Sequence, residues 1–239
     1  MRFFWISIIA AVGISLPAAA ITIDDFSVGQ PFVTIPATGG MSTSSSTSGN
    51  PSIIGGQRDI ALMTSPGVTD STAGVVATSN LLFLATGPTT SSTTTVTYDA
   101  GGAGFSGGGG VGTGIDLTPA GSPPLPAVIT LLGFDTQSVP IEVTVGVRRV
   151  GQTLFDEVTR TVTTTAGTNT SFEFAAFGVP LTDVDALRFE FASVNPGADF
   201  NLFGGIVTEV IPVPPGAVLL PAALLLLGWR ARRRAAVAT

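Results

Sequence analysis

The side chains that could do acid–base chemistry in this sequence are almost all carboxylates, because the chain has no His, Cys or Lys. It therefore lacks the commonest general base, the thiolate nucleophile and the Schiff-base amine. Glu142, Glu173 and Glu190 lie at polar positions of three separate strand-like segments. Two carboxylates facing each other across a cleft could hydrolyse a glycosidic bond. The alternation of polar and apolar residues explains all three equally well, so the sequence predicts no catalytic residue.

A second set of carboxylates lies near the two ends of the central region. Asp24 and Asp25 are close to its start, and Asp199 is close to its last strand-like segment. A sandwich fold often brings its terminal strands together, and calcium prefers several carboxylate and carbonyl oxygens. Since no spaced D-x-D-x-D loop is present, we expect solvated turn acids, with structural calcium as the alternative and no other cofactor or metal. Arg58 is expected to form an ion pair or a turn contact with Asp59.

Residues 102–107 match the G-x-G-x-x-G pattern of dinucleotide-binding folds. That site needs a helix to begin directly after the glycines. Gly108, Gly109 and Gly110 follow instead, and each glycine disfavours a helix by about 1 kcal/mol relative to alanine. We therefore predict a flexible loop here, and a second exposed loop in the Thr/Ser/Gly tract over residues 38–51.

Charge is divided unevenly along the chain. All sixteen acidic residues lie between Asp24 and Glu209, and only five of the ten arginines lie with them, so this region has a net charge of −11. Such a surface repels phosphate, which excludes nucleic acid as a partner.

Tyr98 is the single tyrosine, and Trp5 and Trp229 are in the terminal segments. The region thus lacks the aromatic residues that usually stack on sugars, which weakens a lectin-like interpretation.

Strand signals dominate residues 21–211. Several segments alternate apolar and polar side chains, as half-buried antiparallel strands do; they cover residues 93–98, 141–148, 159–165, 171–174 and 186–191. Three apolar runs are typical of central strands: Ile53-Ile54, residues 81–84 and residues 128–132. No segment before residue 216 shows helical periodicity over three turns. We predict an all-β fold with a single antiparallel β-sandwich over residues 21–211.

Residues 1–20 have the pattern of a secretory signal peptide. Arg2 gives a positive start, residues 3–16 are apolar, and Pro17 precedes a small-residue cleavage pattern formed by Ala18 and Ala20. The alternative is an uncleaved anchor helix. Helix-breaking Pro17 favours cleavage before Ile21. We therefore expect the general export machinery to carry the protein beyond the inner membrane.

Residues 212–239 combine three features. The first is the motif Val213, Pro214, Pro215, Gly216 and Ala217; the second is the apolar run over residues 218–229; the third is the basic cluster Arg230, Arg232, Arg233 and Arg234. A helix from Gly216 to Trp229 would rise about 21 Å at 1.5 Å per residue, which is short of a hydrocarbon core of about 30 Å. The basic cluster should remain cytoplasmic. The alternative is an ordinary permanent membrane anchor.

This C-terminal arrangement resembles the sorting signal of exosortase-processed proteins of Gram-negative bacteria, the PEP-CTERM class, and more narrowly its VPLPA variant. Where the variant has Val-Pro-Leu-Pro-Ala, this chain has Val-Pro-Pro-Gly-Ala at residues 213–217, which leaves the cleavage position open. The resemblance implies transient retention in the inner membrane by a short transmembrane helix and processing by an exosortase-like membrane peptidase. Residues 53–60, 98–102 and 182–189 are similar to the β-sandwich ectodomain of such proteins, which implies a jelly-roll-like architecture.

Together these features predict three regions: a signal peptide at 1–20, an ectodomain at 21–211 and a sorting signal at 212–239. The expected function is that of an exported, non-enzymatic protein of the cell surface or extracellular matrix, associated with exopolysaccharide or biofilm. A carbohydrate-binding module for matrix polysaccharide is the alternative. A glycosidase that uses Glu142, Glu173 or Glu190 is a third hypothesis.

Overall fold

The computed structural model describes residues 20–46, 49–99, 114–118, 127–165, 167–177 and 181–210. Within these ranges the chain forms fourteen strands. They are β1 (Ile21–Asp24), β2 (Gln30–Ile35), β3 (Gly40–Ser45), β4 (Asp59–Thr64), β5 (Ser71–Val76), β6 (Leu81–Ala85), β7 (Ser92–Tyr98), β8 (Ala127–Asp135), β9 (Ile141–Arg149), β10 (Asp156–Val162), β11 (Thr168–Glu173), β12 (Val184–Ser193), β13 (Phe200–Phe203) and β14 (Ile206–Val210). Three short 3-10 turns complete the regular structure, at Ile54–Gly56, Ala77–Ser79 and Phe174–Phe177.

The strands form two antiparallel sheets in a sandwich-like arrangement, which confirms the predicted all-β class. The larger sheet has eight strands in the order β1-β14-β8-β13-β6-β5-β2, with β11 also paired to β8. The smaller sheet has six strands in the order β10-β9-β12-β7-β4-β3. The jelly-roll-like connectivity stays a prediction.

The core lies between the two sheets and follows from the alternation of side chains along the strands. On β12, Leu187, Phe189 and Phe191 are fully buried, whereas Arg188 and Glu190 between them are half-buried and face away from the core. The Phe191 ring lies 4.6 Å from the Phe200 ring, centroid to centroid, which joins the smaller sheet to the larger one. Because successive side chains of a strand point to opposite faces, this packing fixes which residues each sheet presents to solvent.

Two sequence-based expectations about local structure are wrong. Ile53 and Ile54 do not form a central strand: Ile53 makes an isolated bridge with Asp24, and Ile54 begins a 3-10 turn. The Thr/Ser/Gly tract is not simply a loop, since β3 occupies Gly40–Ser45 and pairs along its length with β4. The predicted glycine loop at residues 102–110 lies outside the described residues.

In the part of the chain that the structure describes, no helix is long and apolar enough to cross a membrane. The predicted apolar helix after residue 216 is not in that part. Ala20 is described and exposed, and β1 begins at the next residue, Ile21.

Candidate binding face

The surface that the smaller sheet turns to solvent is the strongest candidate for a functional site, and we call it the outer face. Strand register places its side chains in three rows that cross all six strands from β3 to β10. The first row is Ser45, Asp59, Thr97, Arg188, Gly146 and Glu157. The second is Thr43, Ala61, Thr95, Glu190, Thr144 and Thr159, and the third is Met41, Met63, Thr93, Ala192, Glu142 and Thr161.

The threonines of β7 show how the sequence builds this face. Thr93, Thr95 and Thr97 are half-buried on the outer face, while Thr94 and Val96 between them are fully buried. Threonine is β-branched, so it favours the strand and still offers a hydroxyl to the surface. The outer face is therefore lined at its centre by short, hydrogen-bonding side chains.

One end of the outer face holds an open depression of about 330 Å³, which we call the Asp59 depression. Its lining is Thr43, Ser44, Ser45, Gln57, Asp59, Ile60, Ala61 and Thr97. The side-chain amide of Gln57 donates to Asp59 Oδ1 over 3.1 Å, which orients the carboxylate. The depression thus presents both hydrogen-bond donors and acceptors.

The other end of the outer face holds an aromatic ring between two arginines. The half-buried Phe155 lies over Gly146, where an added Cβ would come within 3.2 Å of the Phe155 side chain. The guanidinium carbons of Arg188 and Arg148 lie 4.5 and 5.6 Å from the centre of the Phe155 ring. Such cation–π contacts hold the ring and the guanidinium groups in fixed relative positions.

Each of these arginines is also paired with a carboxylate. Arg188 Nη2 contacts Glu157 Oε1, and Arg148 Nη2 lies 3.1 Å from Asp185 Oδ2. We call these five residues the Phe155 cluster. Since two cations face two anions, the cluster is balanced in charge. It combines an apolar ring with directed donors and acceptors.

The sequence did not single out Phe155, because it precedes β10 in the β9–β10 connection and has no place in the strand alternation. The sequence held one weak signal, Gly146, which takes an outward position of β9 between the inward Val145 and Val147. A glycine inside a strand often marks the close approach of another group. Here that group is the Phe155 ring.

The three glutamates that could serve a glycosidase are only partly brought together. Glu142 and Glu190 share the outer face, where Glu142 is opposite Ala192 and Glu190 is opposite Thr144, so the two are diagonal neighbours on adjacent strands. Glu173 is on β11 in the larger sheet. The structure therefore offers at most the first two as a pair.

Arg58 lies in the core rather than at the surface, and it pairs with Asp24 rather than with Asp59, so the expected contact is wrong. Its Nη1 donates to Asp24 Oδ2 over 2.5 Å, and neither side chain has any exposed surface. Its Nε donates to Gln30 Oε1 over 2.8 Å, and its Nη2 donates to the carbonyl of Val28 over 2.7 Å. All three acceptors belong to the segment that begins the described chain.

Asp24 is the centre of this buried network, so the expectation of a solvated turn acid is wrong for it. Tyr98 Oη donates to Asp24 Oδ2 over 2.9 Å, and the backbone N–H of Phe26 donates to Asp24 Oδ1 over 2.8 Å. Burial raises the pKa of the Asp24 carboxyl above its ordinary value, and the charge of Arg58 opposes that rise. Burial also raises the pKa of the Tyr98 phenol well above its ordinary value, and the neighbouring Asp24 charge adds to it.

The other two candidate calcium ligands make separate hydrogen bonds, one within a local turn and one between two distant segments. Asp25 Oδ1 accepts from the N–H of Ser27 over 2.9 Å, as expected of a turn acid. Asp199 Oδ1 accepts from the N–H of Thr86 over 2.6 Å and from its hydroxyl over 3.0 Å. Among the described residues, no three acidic side chains group in a way that could hold a metal ion.

The predicted processing residues lie outside the described residues, apart from Ala20. They are Ala18 in the signal peptide, Val213, Pro214, Pro215, Gly216 and Ala217 in the sorting motif, and Arg230, Arg232, Arg233 and Arg234 in the basic cluster. Their roles stay predictions.

No protein-family model matches the chain, and no curated protein matches it. Among solved structures, it is similar to the family 11 carbohydrate-binding module of the cellulosomal cellulase Lic26A-Cel5E of Clostridium thermocellum. The identity is 8%, the TM-score is 0.40, and the match covers 82% of this chain and 97% of that one. A second similar structure is xylanase 10B of Clostridium thermocellum, its CBM22-1 and GH10 modules complexed with xylohexaose, at 9% identity, a TM-score of 0.32, and 83% and 29% coverage. A third is the arabinose-bound α-L-arabinofuranosidase MgGH51, at 13% identity, a TM-score of 0.37, and 81% and 26% coverage.

Proposed function

We propose that this protein is an exported, non-enzymatic component of the cell surface or extracellular matrix that binds polysaccharide on its outer face. The observation that carries the binding part is the Phe155 cluster. A sugar ring has an apolar C–H surface and a rim of hydroxyls, and each hydroxyl is both a donor and an acceptor. The apolar ring of Phe155 suits that surface, while Arg148, Arg188 and Glu157 suit the rim.

The experiment that tests binding is affinity electrophoresis of the full-length protein through gels that contain single polysaccharides. Retardation by at least one polysaccharide is expected, and it should be lost in Phe155→Ala. Phe32→Ala is the matched control, because Phe32 is a 57% exposed phenylalanine on β2 of the larger sheet. Equal mobility in every gel would refute the binding function.

The exported location is supported by the terminal segments rather than by the described domain. The signal-peptide pattern, the proline motif, the short apolar run and the arginine cluster occur together, and a jelly-roll-like ectodomain followed by a short transmembrane helix completes this proposal. The test is immunoblotting of cell fractions with and without the exosortase-like peptidase. Without the peptidase, we expect a larger form retained in the membrane; an unchanged size and location would refute the sorting part alone.

A glycosidase is the second candidate, and the observation in its favour is that Glu142 and Glu190 are diagonal neighbours on the outer face. If these carboxylates cleave a glycosidic bond, then a polysaccharide that binds should release reducing ends over time. Glu142→Gln and Glu190→Gln should each abolish that release while binding persists. We expect binding without any release, as befits a non-enzymatic protein.

A further inference from the structure

We infer that the apolar run at residues 218–229 docks on the solvent-facing side of the larger sheet when the protein is not in a membrane. We call that side of the sheet the apolar face, and it is made of Phe32, Val76, Leu81, Phe83 and Phe203. This docking goes beyond the proposed function, because it involves neither polysaccharide nor the peptidase. The transmembrane helix proposed above uses the same residues, so docking and membrane insertion exclude each other.

The apolar face is one continuous patch. The rings of Phe32 and Phe83 meet edge to face, with their centroids 5.3 Å apart. Strand register places Val76 opposite Leu81 and Leu81 opposite Phe203, and Leu81 and Phe83 point to the same side of β6. Phe32 is 57% exposed and Phe203 is 41% exposed, while the other three side chains are half-buried. Together they form an apolar surface that crosses β2, β5, β6 and β13.

The two sheets differ in what they present to solvent. The four strands that carry the apolar face contain no charged residue, whereas the outer face of the smaller sheet presents Asp59, Glu142 and Glu190. The solvated side of an antiparallel sheet is ordinarily polar. A contiguous exposed apolar patch marks an interaction site. We therefore expect another apolar group to cover the apolar face.

The run at residues 218–229 has the composition and the length that this face requires. It contains no charged residue, and Trp229 is its only side chain with a hydrogen-bonding group. A helix that is apolar all round has to be buried. As a helix the run would rise about 18 Å, which is short of a hydrocarbon core of about 30 Å. The apolar face extends over three strand spacings from β2 to β13, or about 14 Å at about 4.8 Å each, so the run is long enough to cover it.

The chain between β14 and the run is long enough to bring the two together. The described residues end with β14 at Val210, seven residues after Phe203, which is about 23 Å along the strands at about 3.3 Å each. Residues 211–217 are also seven in number and include three prolines, which favour an extended segment of about 3.1 Å per residue, or about 22 Å in all. This connection can turn back at the end of β14 and bring residue 218 to the level of Phe203.

A connection this short favours the chain's own run over a second copy of the protein. It holds the run near the apolar face at an effective concentration on the order of millimolar, which exceeds that of another molecule in dilute solution. The basic cluster that follows the run is opposite in charge to the region between Asp24 and Glu209, whose net charge is −11. Processing within residues 213–217, as proposed above, would then uncover the apolar face.

Tryptophan fluorescence tests the docking, because Trp5 and Trp229 are the only tryptophans. In full-length Trp5→Phe, without detergent or lipid, we expect Trp229 to emit at shorter wavelength than free tryptophan and to be quenched several-fold less by acrylamide. Phe32→Glu and Phe203→Glu put a charge on the apolar face, so each should shift the emission to longer wavelength and restore quenching. Met41→Glu is the matched control, because Met41 is 67% exposed on β3 of the smaller sheet; it should leave both readouts unchanged.

Cross-linking tests where the run lies. Since the chain has no Cys, Phe203→Cys combined with Leu225→Cys should form a disulfide within one molecule on mild oxidation, seen as altered migration in a non-reducing gel. Met41→Cys combined with Leu225→Cys is the control and should form it far more slowly. Far-ultraviolet circular dichroism confirms that each variant is folded.

Three results would overturn the docking. Quenching of Trp229 equal to that of free tryptophan would show that the run is undocked. Shielding found only in oligomers by sedimentation velocity, or disulfides between molecules rather than within one, would place the run on a second copy. In Trp229→Phe, shielding of Trp5 that Phe32→Glu removes would identify the N-terminal segment as the occupant instead.

Vesicles of phosphatidylethanolamine and phosphatidylglycerol test the competition with a bilayer. The run should leave the sheet, so Trp229 should stay shielded but no longer respond to Phe32→Glu. Weaker vesicle binding in Phe32→Glu would show that the apolar face itself binds lipid, which would also overturn the docking. Polysaccharide binding is measured on the opposite sheet, where Phe32→Ala remains a control, and processing is measured in cell fractions, so the proposed function and the docking can fail separately.

Discussion

Arg58 and Arg188 each pair with a carboxylate, but their surroundings are opposite. Arg58 and Asp24 have no exposed side-chain surface, and the Arg58 guanidinium is bonded on three nitrogens to acceptors from the N-terminal segment. The side chains of Arg188 and Glu157 are 33% and 39% exposed, and the Arg188 guanidinium lies over the Phe155 ring. The same chemical pair therefore holds the N-terminal segment to the core in one place and lies beside a half-buried phenylalanine of the outer face in the other.

The two pairs differ in how much they contribute to stability. Each ion removed from water loses several kcal/mol of solvation free energy. Removing one partner of a buried pair therefore leaves an uncompensated buried charge and destabilises the fold. An exposed pair contributes about 0–1 kcal/mol, because water solvates either partner when the other is removed.

The largest effect is expected from Asp24→Ala. The variant leaves the Arg58 guanidinium buried without a counter-charge, which should lower the free energy of unfolding by about 3–5 kcal/mol. Urea denaturation of the full-length protein, followed by circular dichroism, measures it. Asp25→Ala is the matched control, since its carboxylate makes only a local turn contact with Ser27; an equal loss in both variants would contradict the comparison.

Removing both buried charges should lower the free energy of unfolding less than removing only one of them. When Asp24→Leu is combined with Arg58→Met, no uncompensated ion remains, and buried ion pairs replaced by apolar residues are often nearly neutral in stability. We expect the double variant to recover at least 1 kcal/mol relative to Asp24→Ala, within the range of about 0.5–3 kcal/mol seen for coupled residues. The same denaturation series measures it, and strictly additive losses would show that the two charges do not act as a pair.

A smaller effect is expected at Tyr98, whose hydroxyl donates to Asp24. Tyr98→Phe removes one hydrogen bond to a charged group and should lower the free energy of unfolding by about 1.5–3 kcal/mol. The variant leaves the Arg58–Asp24 ion pair in place, so its loss should remain below that of Asp24→Ala. Denaturation midpoints at neutral pH compare the two directly, and a larger loss in Tyr98→Phe would reverse the order.

Tyr98 also predicts how stability depends on alkaline pH. Its folded pKa is raised above the ordinary value of 10.0, so the unfolded chain releases the phenolic proton first. The stabilisation is complete below that ordinary value and is lost progressively as pH rises from it towards the raised folded pKa. Because the chain has one tyrosine and neither lysine nor cysteine, a fall in stability near pH 10 can be assigned to this residue. Tyrosinate absorbance should appear together with unfolding, and Tyr98→Phe should flatten the slope; tyrosinate forming in the folded protein at the ordinary pKa would contradict this.

The sequence predicts some of the strands, but it predicts neither the Arg58–Asp24 pair nor the Phe155 cluster. The alternation at residues 93–98 and 186–191 predicts β7 and β12, because Val96 and Tyr98 in the first segment alternate with threonines, and Leu187, Phe189 and Phe191 in the second alternate with charged residues. β3 was missed because its inward positions are Gly or Ser and its one large apolar residue, Met41, points outward, so no apolar alternation marks it. The Arg58–Asp24 pair joins residues 34 positions apart, and nothing local in the sequence distinguishes Asp24 from Asp59 as the partner. The Phe155 cluster requires the register of β9, β10 and β12, which becomes known only when the sheet is assembled.

The smallest stability effect is expected at the exposed pair. Arg188→Gln should change the free energy of unfolding by about 0–1 kcal/mol, because Glu157 is left in contact with water rather than in the core. The contact of Arg188 with Phe155 should be lost, so polysaccharide affinity should fall by more than this stability change implies. Denaturation and titration calorimetry on the same sample separate the two readouts, and Glu157→Gln tests the partner. A large loss of stability with unchanged affinity would show that Arg188 supports the fold as Arg58 does, and the division between a structural and a binding arginine would fail.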